Sequence, residues 1–157
     1  MKYCYLALFV FCLACQRTPN SEVASQTFNP KPGQSYVLFL NFRFYHTDKY
    51  PKATYENHII AEGKLKPQSA PPTIRAPYLI LQLLNNNQET LKEIPLTNPL
   101  IKNVEYVEDS GSLARKTITL EQAELTIRLQ LPNETNQIVL WYILGSNERI
   151  ELNRKWL

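Results

Sequence analysis

The sequence predicts an all-β protein, a single antiparallel β-sandwich of about eight strands in residues 34–157 that follows a leader and a polar tether. Short apolar or alternating runs recur throughout this region, and clusters of turn-forming residues separate them. No amphipathic helical pattern extends beyond a turn or two. The arrangement fits an immunoglobulin-like sandwich, with a closed barrel as the alternative.

The first strand gives the strongest signal, YVLFLNFRFY at Tyr36–Tyr45. Alternate residues from Tyr36 to Phe44 are apolar and share one face, whereas the face from Val37 to Tyr45 is only half apolar. This alternation predicts a strand with one face suited to a core.

The next segments predict a second, weaker strand and then a hairpin. Residues 55–66 have a strand pattern that is interrupted at Gly63. The proline-rich residues 67–77 predict a loop or an edge connection. Residues 78–84 are almost continuously apolar, as expected of a central strand, and the three asparagines that follow suit a turn. Residues 90–96 then return as the second arm.

The last third of the chain predicts four or five further short strands. Residues 104–107 and 113–120 flank a strong turn signal, Glu-Asp-Ser-Gly. Residues 125–131 alternate cleanly, which indicates a half-buried strand. The buried run at 138–144 is followed by a turn and a final strand at 149–152.

Residues 1–14 consist of a lysine near the N-terminus and an apolar segment. About twelve residues of helix rise only about 18 Å, well short of the roughly 30 Å hydrocarbon core of a membrane. We therefore interpret this segment as a signal peptide rather than a spanning anchor. Small side chains at Cys12 and Ala14 suit cleavage of the Ala14–Cys15 bond.

All three cysteines lie within the first fifteen residues, and cleavage after Ala14 leaves Cys15 alone, without an intrachain disulfide partner. This arrangement resembles the processing site of bacterial lipoproteins. The resemblance implies lipid on Cys15 and a durable attachment to a membrane of the cell envelope, facing the periplasm. An exported protein without lipid and an uncleaved cytoplasmic protein are the alternatives.

The rest of the chain divides into a tether and one domain. Residues 15–33 are polar and rich in proline, which predicts a flexible tether. Residues 34–157 suffice for one domain but not comfortably for two. The chain has 17 Lys and Arg against 14 acidic residues, without a basic stripe, so nucleic-acid binding is not expected.

The sequence lacks the HExxH, CxxC, GxSxG and glycine-rich phosphate-loop motifs, so we expect no enzyme, no cofactor and no metal. His46 and Asp48 could ligate a metal or form an acid–base pair, but a polar turn is the preferred interpretation. His58 is expected at the surface or in packing. Glu108 and Asp109 suit a charged turn better than a calcium site.

Several aromatic residues suggest a binding surface. Phe39, Arg43 and Tyr45, with Tyr50 and Tyr55, could form an exposed patch on which a glycan or peptide stacks. The preferred interpretation is that these aromatic rings pack in the core or against neighbours on adjacent strands.

Two stretches, FRFYHT at 42–47 and EIPL…PL at 93–100, are similar to the N-terminal β-sandwich domain of bacterial IgA-cleaving-type metallopeptidases. The resemblance implies a sandwich in an exported protein. The zinc motif of those peptidases is absent from this sequence, so proteolysis is not expected.

These observations predict a membrane-anchored, non-catalytic interaction or scaffolding module of the bacterial cell envelope. Its partners would be membrane lipid, through Cys15, and another envelope protein. The alternative is a lipoprotein that binds a glycan or a peptide.

The anchor can be tested by fatty-acid labelling of the wild type and of Cys15→Ala. We expect the label to be lost in the variant, because the thiol is the attachment point. Label that persists after the substitution would contradict the anchor.

Overall fold

The computed structural model describes residues 28–66, 76–145 and 148–157, whose regular secondary structure consists of strands only. No helix that could cross a membrane occurs in these ranges. The predicted signal peptide, Cys15 and most of the tether lie outside them, as does most of the proline-rich connection. The nine strands are β1 (Tyr36–Tyr45), β2 (Lys52–Glu62), β3 (Tyr78–Leu84), β4 (Thr90–Thr97), β5 (Ile101–Val107), β6 (Leu113–Thr119), β7 (Gln122–Leu131), β8 (Gln137–Ile143) and β9 (Arg149–Trp156).

The strands form two packed sheets and a separate hairpin. One sheet has the order β2-β1-β7, the other has the order β4-β3-β8-β9, and β5 pairs only with β6. Every pairing is antiparallel. The predicted all-β sandwich is confirmed, with nine strands where about eight were expected. We call the first sheet the three-stranded sheet and the second the four-stranded sheet.

The core lies between the two sheets and depends on the inner face of β1. Leu38, Leu40 and Phe44 are fully buried, and β7 places Leu129 and Ile127 opposite the two leucines. The facing side chains of the four-stranded sheet complete the core: Leu79, Leu81, Leu83, Ile138, Leu140 and Tyr142. The alternation in the first strand therefore identifies the core face correctly.

The outer face of the four-stranded sheet is also covered, which explains why β3 and β8 are almost continuously apolar. Ile80 and Val139 are buried although they lie on this outer face. Arg149 on one edge strand donates to Glu93 Oε1 on the opposite edge strand, at 2.8 Å. Polar side chains thus bridge across the apolar outer layer.

Strand boundaries differ from the expectation by three or four residues at both ends of β2, at the starts of β5 and β7, and at the end of β9. β2 begins at Lys52 rather than at residue 55, because Lys52 and Ala53 pair with the end of β1. β9 continues to Trp156 because its polar C-terminal residues pair with β8. In both cases pairing with a neighbouring strand outweighs a weak local pattern.

Candidate functional site

The three residues predicted to bind a ligand share one surface. Phe39, Arg43 and Tyr45 lie on the outer face of β1, which is the middle strand of the three-stranded sheet. All three are half-buried. The structure therefore brings them into a single row on the solvent side of the sandwich.

Arg43 is held within this row by two carboxylates. Its Nη2 lies 2.8 Å from Glu56 Oε1 and 3.0 Å from Glu124 Oε1. Interaction with the Tyr45 side chain, followed by the charge of Glu56, raises the pKa of the Arg43 guanidinium above its ordinary value. A ligand that bound here would compete with these contacts for the guanidinium donors.

Asn41, between Phe39 and Arg43 in this row, forms side-chain hydrogen bonds to both neighbouring strands. Its Nδ2 donates to Asn57 Oδ1 at 2.6 Å, and its Oδ1 accepts from Thr126 Oγ1 at 2.8 Å. The outer face of the three-stranded sheet is therefore a ladder of paired polar side chains, with Phe39 on one side of it.

Tyr55 does not belong to the exposed patch, which agrees with the preferred packing interpretation. It lies opposite Phe42 on the inner side of the sheet, and their rings make an edge contact with centroids 6.0 Å apart. The cause is a bulge in β2, where Glu56 is the extra residue and reverses the faces of the residues before it. Tyr50 also packs against the core and lies outside the patch.

His46 and Asp48 lie in the connection between β1 and β2, and both are exposed. The Thr47 hydroxyl donates to the Tyr50 carbonyl and closes this segment as a turn, in agreement with the preferred interpretation. The turn borders a shallow cleft of ≈ 220 Å³ that Asn98 also lines. This volume is below the usual range of ligand pockets.

The sequence predicts the two strands and the turn of the β5–β6 hairpin, but not that the hairpin stands apart from both sheets. The hairpin is hydrogen-bonded to neither sheet, and it exposes 65% of Val107 and 78% of Leu113. Val104 and Tyr106 are also exposed, at 41% and 45%. Most of the large apolar side chains exposed in the described residues are therefore on this one element.

The base of the hairpin is firmly held. Leu100 is buried in the core, its N–H donates to Asn98 Oδ1 at 3.0 Å, and its carbonyl accepts from Leu120 N at 2.8 Å. The N–H of His46 donates to the Glu121 carbonyl at 2.8 Å, which ties the end of β1 to the exit of the hairpin. The hairpin thus begins and ends on a fixed platform.

The tip and one face of the hairpin are internally bonded. Glu108 N donates to Ser112 O at 2.9 Å across the turn, and Gly111 has a φ of 79°, which favours glycine. Arg115 Nε donates to Glu105 Oε1 at 2.7 Å on one face. Glu108 thus lies in a turn, which agrees with the charged-turn interpretation.

The hairpin carries a sequence signal that is weak but readable. Charged residues occur on both faces of β5, Lys102 on one and Glu105 on the other, so neither face matches a buried sheet face. That pattern is typical of a strand pair that lies outside a core.

His58 lies at the seam where β2 approaches β9. A hydrogen bond joins its Nδ1 to the Tyr55 hydroxyl, and Lys155 Nζ lies 5.3 Å from the centroid of the Tyr55 ring. Burial, and then the positive charge of Lys155, lowers the pKa of His58 below its ordinary value of 6.5. The packing interpretation of His58 therefore fits its position.

Comparisons with protein-family models, with curated proteins and with solved structures find no match to this chain. Within the parts of the chain that the structure describes, no group of three or more His, Cys, Asp or Glu side chains is placed to hold a metal ion.

The seam predicts a pH dependence of stability. The unfolded chain binds a proton at His58 more readily than the folded chain, so the stabilisation is complete above pH 6.5 and declines as the pH falls below it. We expect His58→Gln to lose less stability than the wild type between pH 7.5 and pH 5, measured by urea unfolding. His46→Gln, at an exposed position, is the control and should behave like the wild type. If His58→Gln had the same pH dependence of stability as the wild type, His58 would not be its source.

Proposed function

We propose that this protein is a membrane-anchored, non-catalytic interaction or scaffolding module of the bacterial cell envelope, and that it engages a protein partner through the β5–β6 hairpin. The observation that carries the proposal is the exposure of Tyr106, Val107 and Leu113 on an element that projects from a fixed base.

Two physical arguments support an interaction role for the hairpin. A two-stranded hairpin on its own is marginally stable in water, and it gains from a third strand or a packed surface. Clustered apolar side chains on a soluble domain commonly mark protein contacts, and tyrosine is enriched at the energetic centres of interfaces. A partner that covered Tyr106 and Val107 would satisfy both arguments.

The anchoring part of the proposal is supported by the sequence around Cys15 and by the resemblance to lipoproteins. A coil of about eighteen residues spans roughly 25 Å on average. A domain on such a tether would stay close to the membrane surface, where its hairpin meets other envelope proteins by lateral diffusion.

The hairpin role can be tested by crosslinking in intact cells that express the full chain. Combining Val107→Asp with Leu113→Asp should reduce recovery of a specific envelope partner about tenfold, because two desolvated apolar contacts become charged. Ile59→Asp is the matched control, since Ile59 is 61% exposed but lies on β2. Equal recovery from the wild type and the double variant would contradict the proposal.

A second candidate function is the binding of a glycan or peptide on the outer face of β1. The alignment of Phe39, Arg43 and Tyr45 in one row on the solvent side favours it. Stacking on aromatic rings beside a guanidinium is a common way to hold sugars and peptides.

This second function predicts that Phe39→Ala combined with Tyr45→Ala abolishes binding in a glycan and peptide array while the domain stays folded. Loss of the far-ultraviolet β-sheet signal would identify unfolding instead. Binding that survives in the folded double variant would exclude this surface.

A further inference from the structure

We propose that the free edge of β5 is a self-association surface, on which a second copy of this chain adds its own β5 in antiparallel orientation. The two-fold axis passes beside Val104, and the product is a four-stranded ribbon of order β6-β5-β5-β6. The inference rests on the hairpin being the interaction surface proposed above, but it does not depend on the lipid anchor.

The hydrogen bonds at the two ends of the hairpin show which backbone groups of β5 are free. Glu108 N donates to Ser112 O, and Leu120 N donates to Leu100 O. Because bonded and non-bonded pairs alternate in an antiparallel ladder, the even-numbered residues of β5 bond to β6. The odd-numbered residues Asn103, Glu105 and Val107 direct their N–H and C=O groups to the opposite edge, with which no described strand pairs.

The sequence of β5 is complementary to itself about Val104. In this register Asn103 lies opposite Glu105 of the second copy, and Lys102 lies opposite Tyr106. The two Val104 side chains meet at the axis, and no like charges face each other. Across the axis the Asn103 amide would donate to the Glu105 carboxylate, and the Lys102 ammonium would lie near the Tyr106 ring.

The competing registers are worse. A two-fold axis at Glu105 would place two carboxylates opposite each other. If two copies paired through β6 about Lys116 instead, two ammonium groups would lie opposite each other. An axis at Asn103 would leave Tyr106 beyond the start of the partner strand. Registers that pair odd with even residues mismatch the free backbone groups. Val104 is the central residue of β5, so its register is the one that pairs all seven residues of the strand.

The proposed pairing also removes the two weaknesses of the hairpin. It converts a two-stranded ribbon into a four-stranded sheet, in which the free N–H and C=O groups of β5 are hydrogen-bonded. It places Val107 beside Ile101 of the second copy, so exposed apolar surface is covered at both ends of the ladder. The interface is isologous, the commonest symmetry of soluble dimers.

A matched pair of substitutions at Asn103 tests the register. Asn103→Lys would place an ammonium opposite Glu105 of the second copy, twice by symmetry, whereas Asn103→Glu would place like charges there. Asn103→Lys removes the acceptor of the hydrogen bond from Thr117 Oγ1 to Asn103 Oδ1 at 2.8 Å, whereas a glutamate carboxylate can still accept it. The loss of this hydrogen bond would therefore weaken the lysine variant more, which is opposite to the order of dimer affinity that the register predicts. We expect dimer dissociation constants that differ by about tenfold, with the lysine variant tighter.

The measurement is native mass spectrometry of the full chain, released from detergent micelles across a concentration series. Ile59→Lys is the control, at an exposed apolar position on β2, and its dimer should persist because that strand belongs to the three-stranded sheet and not to the hairpin. A monomeric wild type up to about 100 μM, or equal constants for the two Asn103 variants, would overturn the inference.

Loss of the dimer in Ile59→Lys would also overturn the inference, because the contact would then involve the three-stranded sheet rather than the hairpin. A monomeric chain whose hairpin variants still lose a crosslinked envelope protein would leave the proposed function intact. Hairpin variants that change neither dimerisation nor the recovery of the crosslinked envelope protein would contradict both this inference and the proposed function.

Discussion

Burial of the inner face of β1 is the constraint on which the rest of this structure depends. Leu38, Leu40 and Phe44 lie between β2 and β7 in one sheet and face the leucines of β3 in the other. Truncating one such side chain to alanine typically costs about 2–5 kcal/mol, a large part of the stability of a domain of this size. The strands are arranged so that these residues stay covered. The elements that this arrangement leaves outside the core form the more exposed surfaces.

The β5–β6 hairpin lies outside that core. The chain must pass from β4, at the edge of one sheet, to β7, at the edge of the other. It makes this passage through β5 and β6, which start at the buried Leu100 and contribute no inner face of their own. The apolar side chains on the hairpin therefore cannot be explained by packing within the described chain. The proposed contact with another molecule would explain them.

The sequence predicts those elements whose burial follows a local period. The alternation of β1 and the continuous apolar runs of β3 and β8 identify three strands and the core face of the first. Features that depend on distant partners are not predictable in this way. The bulge at Glu56 exists only in relation to β1, and the Arg149–Glu93 pair joins opposite sheet edges. Of the proposed binding row, the outward residues of β1 follow from alternation, but the position of Tyr55 does not.

The central claim is that the hairpin lies outside the cooperative core and is completed by a second molecule along β5. Amide hydrogen exchange of the full chain in detergent, followed across a concentration series, tests it most directly. The account predicts that β1 amides are protected at every concentration. The amides of Asn103, Glu105 and Val107 should gain protection as the concentration rises, much more than those of Val104 and Tyr106, which already bond to β6. Exchange at Asn103 and Glu105 that does not change with concentration would contradict the account.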